Sequence, residues 1–155
     1  MSSFSVKSTR DLATAAYLHM REVPVVSARR GSGNGFSFAF RCEQFAFQDL
    51  RGEYINSECV RFDSSVRTVK RLAQSQCVTD MAGCEIVDVD EAAYLHMRGV
   101  DVVAARSRRG KMEFGFQDTT EFRDLRLAYA NSECCRFYAS LVALKRMCSD
   151  CRRPT

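Results

Sequence analysis

The 155-residue sequence has no apolar run long enough to span a membrane, and its first twenty residues lack the basic-then-apolar order of a secretory signal. It also has only two histidines, His19 and His96. The hydrophobic fraction of 46% and the charged fraction of 27% are ordinary for a folded globular protein and argue against a disordered chain. We therefore expect a cytoplasmic protein that does not enter a membrane.

The eight cysteines are compatible with disulfides or with reduced thiols. Since no export signal is recognised, we predict reduced thiols, several of them buried as small apolar side chains. Cys148 and Cys151 form a single C-x-x-C motif. The nearest further donors, Cys134 and Cys135, precede it by the length of a predicted helix, roughly 20 Å at ~1.5 Å per residue. Structural zinc usually needs two such pairs close together, so we predict no metal site and no cofactor.

An internal repeat is the clearest feature of the sequence. Residues 15–21 read AAYLHMR and recur unchanged at 92–98, and residues 56–59 read NSEC and recur at 131–134. Matching valines, phenylalanines and Lys-Arg pairs lie at corresponding places with two small length changes. We predict a tandem duplication with domains 1–76 and 77–155, joined by a short polar linker and packed as a pseudo-symmetric pair.

Hydrophobic periodicity predicts an α+β fold in which each repeat has the order β-α-β-β-α-α. Strict alternation at 36–40 and 112–116, after a valine-rich strand and a turn, predicts a β-hairpin. Ser8 or Thr9 is predicted to cap the first helix, and Asp88 or Asp90 its equivalent. The third helix of each repeat carries an apolar stripe that ends at Leu72 or Met147. The predicted core comprises Phe38, Phe40, Tyr54 and Phe62 with their equivalents Phe114, Phe116, Tyr129 and Phe137.

The repeat also resembles a small, uncharacterised domain family of bacteria and phages. The resemblance depends on Tyr94-Leu95, Gly99, Phe114-x-Phe116-x-Asp118-Thr119, Leu125, Tyr129, Asn131 and Leu144-Lys145. The first repeat departs from this pattern at Glu22, where the glycine is missing, and around Arg41 to Phe45. Because the family has no known activity, the resemblance implies the extent of the fold and no chemistry.

Two features suggest catalysis or nucleotide binding but have simpler interpretations. The Gly31-x-Gly33-x-Gly35 segment precedes a predicted strand, whereas phosphate-binding glycine loops open a helix, so we interpret it as a hairpin turn. His19 and His96 border the apolar side of the first helix of each repeat, and the sequence assigns no nucleophile beside either. We interpret them as boundary residues and predict no catalytic residues.

The net charge of +4 lies in residues 1–77, which have 11 Lys and Arg against 7 Asp and Glu, whereas residues 78–155 have 12 of each. Binding to an acidic partner therefore depends on local clusters. Basic residues gather beside both hairpin turns and on the third helix of each repeat: Arg29, Arg30, Lys70, Arg71, Arg106, Arg108, Arg109, Lys111, Lys145 and Arg146.

Basic two-stranded ribbons fit a nucleic-acid groove, and two like units can contact successive turns of a duplex. We therefore predict a non-enzymatic protein that binds DNA or RNA through its hairpin ends. The alternative is a subunit for protein interaction, assembly or inhibition, including a homo-oligomer. A third, minor alternative is an enzyme with His19 and His96 in a cleft between the repeats.

Overall fold

The structure, a computed structural model, describes residues 3–31, 33, 35–75 and 80–150. These residues form an α+β fold with six helices and two antiparallel three-stranded sheets. Among them, no helix is both long and apolar enough to cross a membrane. The elements in chain order are β1 (Phe4–Thr9), α1 (Leu12–Met20), β2 (Val25–Arg30), β3 (Phe36–Glu43), α2 (Ala46–Ile55), α3 (Glu58–Ser75), β4 (Glu85–Val87), α4 (Val89–Met97), β5 (Ala104–Arg108), β6 (Lys111–Phe116), α5 (Thr120–Ala130) and α6 (Glu133–Asp150).

Each sheet is built around the second strand of a hairpin. The strand orders are β1-β3-β2 and β4-β6-β5, and all neighbours are antiparallel. The predicted hairpins are confirmed as β2–β3 and β5–β6. Alternation places Phe38 and Phe40 on one face of the first sheet and Phe114 and Phe116 on one face of the second, where all four are fully buried.

The start of α1 differs from the prediction. Its N-cap is Asp11, whose carboxylate accepts a hydrogen bond from the backbone N–H of Thr14 at 3.0 Å. Ser8 and Thr9 do not cap the helix because β1 continues through Thr9. The equivalent helix α4 has Asp88, one of the two predicted residues, at its N-cap position, but the Asp88 side chain makes no capping hydrogen bond.

The last turn of the third helices also differs from the prediction. Leu72 is half-buried and Met147 is exposed, whereas Ala73 and Cys148 are buried. At 3.6 residues per turn the apolar stripe drifts around the helix, so by its end the buried position has moved to the next residue.

The chain divides into two compact units, and the division does not follow the order of the sequence repeats. Unit 1 comprises residues 1–60 and 136–155, and unit 2 comprises residues 61–135. Most of α3 therefore belongs to unit 2 and most of α6 to unit 1. The boundary predicted between residues 76 and 77 stays a prediction about the sequence, and each compact unit contains most of a long helix from the other predicted repeat.

Aromatic contacts in unit 1 show how α6 completes its core. Tyr54 of α2 stacks on Phe137 of α6, with ring centroids 5.9 Å apart, and lies 5.4 Å from the ring of Tyr17 in α1. A polar contact adds to the packing: Nδ1 of His19 lies 3.0 Å from Oγ of Ser140 on α6.

Unit 2 is completed in the same way by α3. Phe62 of α3 stacks on Tyr129 of α5 at 6.1 Å, and Tyr129 lies 5.3 Å from Tyr94 of α4. The hydroxyl of Ser65 on α3 donates to the carbonyl of Ala93 at 2.7 Å. All eight predicted core residues are buried, so the core prediction is confirmed.

Candidate nucleic-acid interface

Three cations meet at the end of the β5–β6 hairpin. Arg108 and Lys111 are cross-strand partners, and Arg109-Gly110 forms the two-residue turn between them. Positive φ angles at Arg109 (52°) and Gly110 (78°) are those of a type I′ turn, which matches the twist of the strands. All three cations are exposed. Lys111 lies 3.8 Å from both Asp88 and Glu113, and within the described part of the chain Arg108 and Arg109 have no ion-pair partner.

The β2–β3 hairpin carries two exposed arginines at the end of β2. Arg29 is opposite Ser37, and Arg30 is opposite Phe36. The guanidinium of Arg30 lies over the ring of Phe36, 5.9 Å from its centroid, a cation–π contact that orients the side chain without neutralising it. Neither arginine has an acidic partner among residues 3–31, 33, 35–75 and 80–150.

Arg106 differs from its sequence equivalent Arg29 because it faces an acid. Glu113 is its cross-strand partner, and Nε of Arg106 donates to the Glu113 carboxylate at 2.6 Å. The ion pair offsets most of the charge that Arg106 would present to a ligand. Counting residue pairs outward from the two-residue turn would have paired Arg106 with Glu113 from the sequence alone.

The two long helices each carry a basic pair of residues, and the two pairs belong to different compact units. Lys145 and Arg146 on α6 are exposed and belong to unit 1 with Arg29 and Arg30. On α3, Lys70 is half-buried and Arg71 is exposed, and both belong to unit 2 with the β5–β6 hairpin. Each unit thus contains one basic hairpin end and one basic helix pair.

A groove of about 700 Å³ in unit 1 runs along β2, which is an edge strand of its sheet. It is lined by residues 25–29 of β2 on one side and by Met147 and Asp150 at the end of α6 on the other. The strand bulges between Val25 and Ser27, and Val26 is 49% exposed. The groove combines the edge strand β2, exposed apolar surface and one charge of each sign, Arg29 and Asp150.

The outer face of the unit 1 sheet was not identified from the sequence as a binding surface. Register and alternation place Phe4 and Val6 of β1 beside Arg41 and Glu43 of β3 on this face, opposite the buried phenylalanines. Phe4 is 65% exposed and Val6 is 56% exposed. The signal was present in the alternation of β3, since Arg41 follows Phe40 and must point to the other face.

The described residues show little that resembles a catalytic or metal centre. No group of three or more His, Cys, Asp or Glu side chains among them could hold a metal ion. Ser140, the partner of His19, is only 6% exposed. Burial and then a 2.8 Å hydrogen bond to Asp90 raise the pKa of Tyr129, which therefore stays a neutral phenol. The second cysteine of the C-x-x-C motif, Cys151, lies outside the described residues.

Comparison with known proteins places a family domain in the second half of the chain. The family described as a domain of unknown function, DUF5659, matches residues 81–149. Its range runs from β4 through α6 and so includes residues of both compact units, because α6 packs mostly in unit 1. No curated protein and no solved structure matches the chain.

Proposed function

We propose that the protein is a non-enzymatic nucleic-acid-binding protein whose basic hairpin ends contact phosphates. The observation that carries the proposal is the pair of exposed arginines at each hairpin end, Arg29 with Arg30 and Arg108 with Arg109, without acidic partners in the described residues. Phosphate groups neutralise such cations and release counterions, which supplies most of the affinity of sequence-independent binding.

The unfavourable local energetics of the β5–β6 hairpin end support a role outside folding. Like charges directly opposite each other, as at Arg108 and Lys111, destabilise a strand pair. Arg109 adds a third cation and takes a left-handed backbone conformation that costs an L-residue about 1–2 kcal/mol. Stability alone would favour Asn or Gly at this position and an acid opposite Arg108. A polyanionic ligand offsets the charge repulsion.

The proposal predicts salt-sensitive binding that depends on the hairpin arginines. Fluorescence anisotropy with labelled duplex and single-stranded oligonucleotides, measured across a salt series, compares the wild type with Arg29→Ser/Arg30→Ser and with Arg108→Ser/Arg109→Ser. Removal of one phosphate contact should lower the log–log salt slope by roughly 0.7–0.9, so the slope of each double variant should fall by roughly 1.4–1.8. Binding should weaken alike for all sequences, because phosphate contacts position a ligand without specifying bases.

A double variant with the same change in charge controls for net charge. Arg51→Ser/Arg61→Ser removes two exposed cations that belong to α2 and α3 and to neither hairpin. It should reduce the salt slope much less than either hairpin variant. Absence of wild-type binding at low salt, or equal slopes for all three variants, would overturn the proposed function.

The proposal includes an origin by tandem duplication with the two repeats packed as a pseudo-symmetric pair. Its supports are the recurring heptapeptide AAYLHMR, the same order of elements in both halves and equivalent strand orders. Two copies of one hairpin give two phosphate-binding ends on a single chain. Two linked sites bind more tightly than one when both can engage.

The groove beside β2 favours a second candidate function, binding of an extended protein segment. The strand β2 lies at the edge of its sheet, and a peptide can add to a sheet at an edge strand as a further strand. If oligonucleotides do not bind, this surface becomes the leading site. Substitution of Val26 by Pro then tests it in a pull-down from a bacterial lysate, because the ring removes a backbone donor and crowds an added strand.

A further inference from the structure

We propose that the outer face of the β1-β3-β2 sheet binds single-stranded nucleic acid by stacking a base on Phe4. This inference rests on the proposed function and names the form of nucleic acid for unit 1. Single strands offer unstacked bases, and aromatic side chains on a basic surface bind them with little sequence preference. A duplex keeps its base faces stacked and offers no partner for Phe4.

The aromatic ring is available for stacking. Phe4 is 65% exposed and Val6, two residues along the same face of β1, is 56% exposed. Exposure of two large apolar side chains side by side on an edge strand is unfavourable in water and is typical of a binding surface. The buried face of the same sheet is already filled by Phe38, Phe40 and Cys42, so neither residue is needed for that core.

A row of small side chains leaves the middle of the face open. Ser8, Ala39 and Ser27 are cross-strand partners on β1, β3 and β2, respectively. None of them projects far enough to block a planar base. These three small side chains therefore form a shallow floor in the middle of the sheet face, and the apolar side chains of β1 lie at one end of it.

Two arginines border this floor. Arg41 is paired with Val6 on β1, and Arg29 is opposite Ser37 on β3. Arg41 lies four positions after Ser37 along β3, or ~14 Å at about 3.4 Å per residue, so the guanidiniums of Arg41 and Arg29 can contact different phosphates. Neither arginine has an ion-pair partner in the part of the chain that the structure describes. Glu43, opposite Phe4 on the same face, is an acid and opposes binding.

The corresponding face of unit 2 lacks these features. Arg106 takes the place of Arg29 but is paired with Glu113, and Gln117 takes the place of Arg41. Gly115 is covered by Cys84, since a Cβ at this position would lie 2.8 Å from the Cys84 Cβ. The single-strand site is therefore assigned to unit 1 alone.

The test uses the full chain with labelled oligothymidylate and with its duplex on oligoadenylate, at low salt. Phe4→Ala should weaken binding of the single strand by roughly 5- to 150-fold and leave duplex binding within about twofold. Phe45→Ala is the matched control, because Phe45 is 74% exposed but is the N-cap residue of α2 and belongs to no strand of the sheet. It should change neither affinity. Glu43→Gln should strengthen single-strand binding.

The outcomes separate this inference from the proposed function. If the hairpin variants bind more weakly but Phe4→Ala binds the single strand like the wild type, the stacking site is wrong and the proposed function stands. An equal decrease of single-strand and duplex affinity in Phe4→Ala also refutes stacking. If the wild type binds neither oligonucleotide, both fail. Thermal melting of each variant identifies any decrease that arises from unfolding.

Discussion

At the scale of single residues, Glu22 and Gly99 adopt the same helix-terminating backbone conformation although their side chains differ. Each follows α1 or α4, and its N–H donates to the carbonyl of the histidine three residues earlier at 3.0 Å. The next N–H bonds to the carbonyl of Leu18 or Leu95, which completes a Schellman closure. This closure needs a positive φ, which is 62° at Glu22 and 86° at Gly99. Glycine adopts it without the steric cost that Glu22 bears.

Replacement of Glu22 by glycine should therefore stabilise the protein by about 1 kcal/mol, the left-handed penalty less the added freedom of the unfolded chain. Urea denaturation followed by circular dichroism measures the change as a higher midpoint with an unchanged slope. Gly99→Glu is the reciprocal variant and should lower the midpoint by a similar amount. A lower midpoint for Glu22→Gly would mean that the Glu22 side chain stabilises the fold by a contact that outweighs the strain.

At the scale of elements, the β5–β6 hairpin combines a turn geometry with a residue that does not suit it. Type I′ turns favour Asn or Gly at their first central position because both tolerate positive φ. Arg109 occupies that position with φ 52° and is exposed. Fold stability and the proposed phosphate binding therefore make opposite demands on Arg109.

Arg109→Asn should separate these demands. The hairpin should become more stable, by about 0.5–1 kcal/mol, because Asn adopts the turn conformation more readily. Oligonucleotide binding should weaken, and the salt slope should fall by roughly 0.7–0.9 because one cation no longer meets a phosphate. Denaturant unfolding and anisotropy on the same preparation measure both quantities. Unchanged affinity would remove Arg109 from the interface, and lower stability would contradict the strain argument.

Most elements were predictable because their signals are local. The alternation of apolar residues at 36–40 and 112–116 predicts a strand and its buried face, whichever element packs against that face. The ion pair of Arg106 with Glu113 was equally predictable from the sequence, because the two-residue turn fixes the register of the hairpin. A count of basic residues alone does not show which of them face an acid. The outer face with Phe4 and Arg41 was harder to predict, because it depends on the pairing of β1 with β3, two strands that are distant in the sequence.

At the scale of the whole molecule, the chain passes between the compact units within its two longest helices. Residues 58–60 of α3 belong to unit 1 and the rest of the helix to unit 2, and the reverse holds for α6 from residue 136 onward. Tyr54 thus stacks on Phe137, although Phe62 is the phenylalanine that follows it in the same predicted repeat. The DUF5659 range, residues 81–149, is a unit of sequence and does not coincide with a unit of packing.

The recurring sequence segments explain why the sequence does not predict which of the two long helices packs against Tyr54. Phe62 and Phe137 have the same side chain at equivalent positions of equivalent helices. Burial and periodicity are therefore satisfied equally well by either partner for Tyr54. The choice depends on the path of the chain after Asn56 and Asn131, which local pattern does not specify.

A double-mutant cycle on the full chain tests the exchange. Tyr54→Leu and Phe137→Leu are measured singly and together by urea denaturation, and the stacked rings should give a coupling energy of about 0.5–1.5 kcal/mol. Leucine is chosen because it keeps most of the apolar volume, so the variants should remain folded. The matched cycle pairs Tyr54→Leu with Phe4→Leu, whose ring is exposed on the outer face of the same unit's sheet, and should be additive within about 0.5 kcal/mol. Additivity between positions 54 and 137 would show that α6 does not pack against α2.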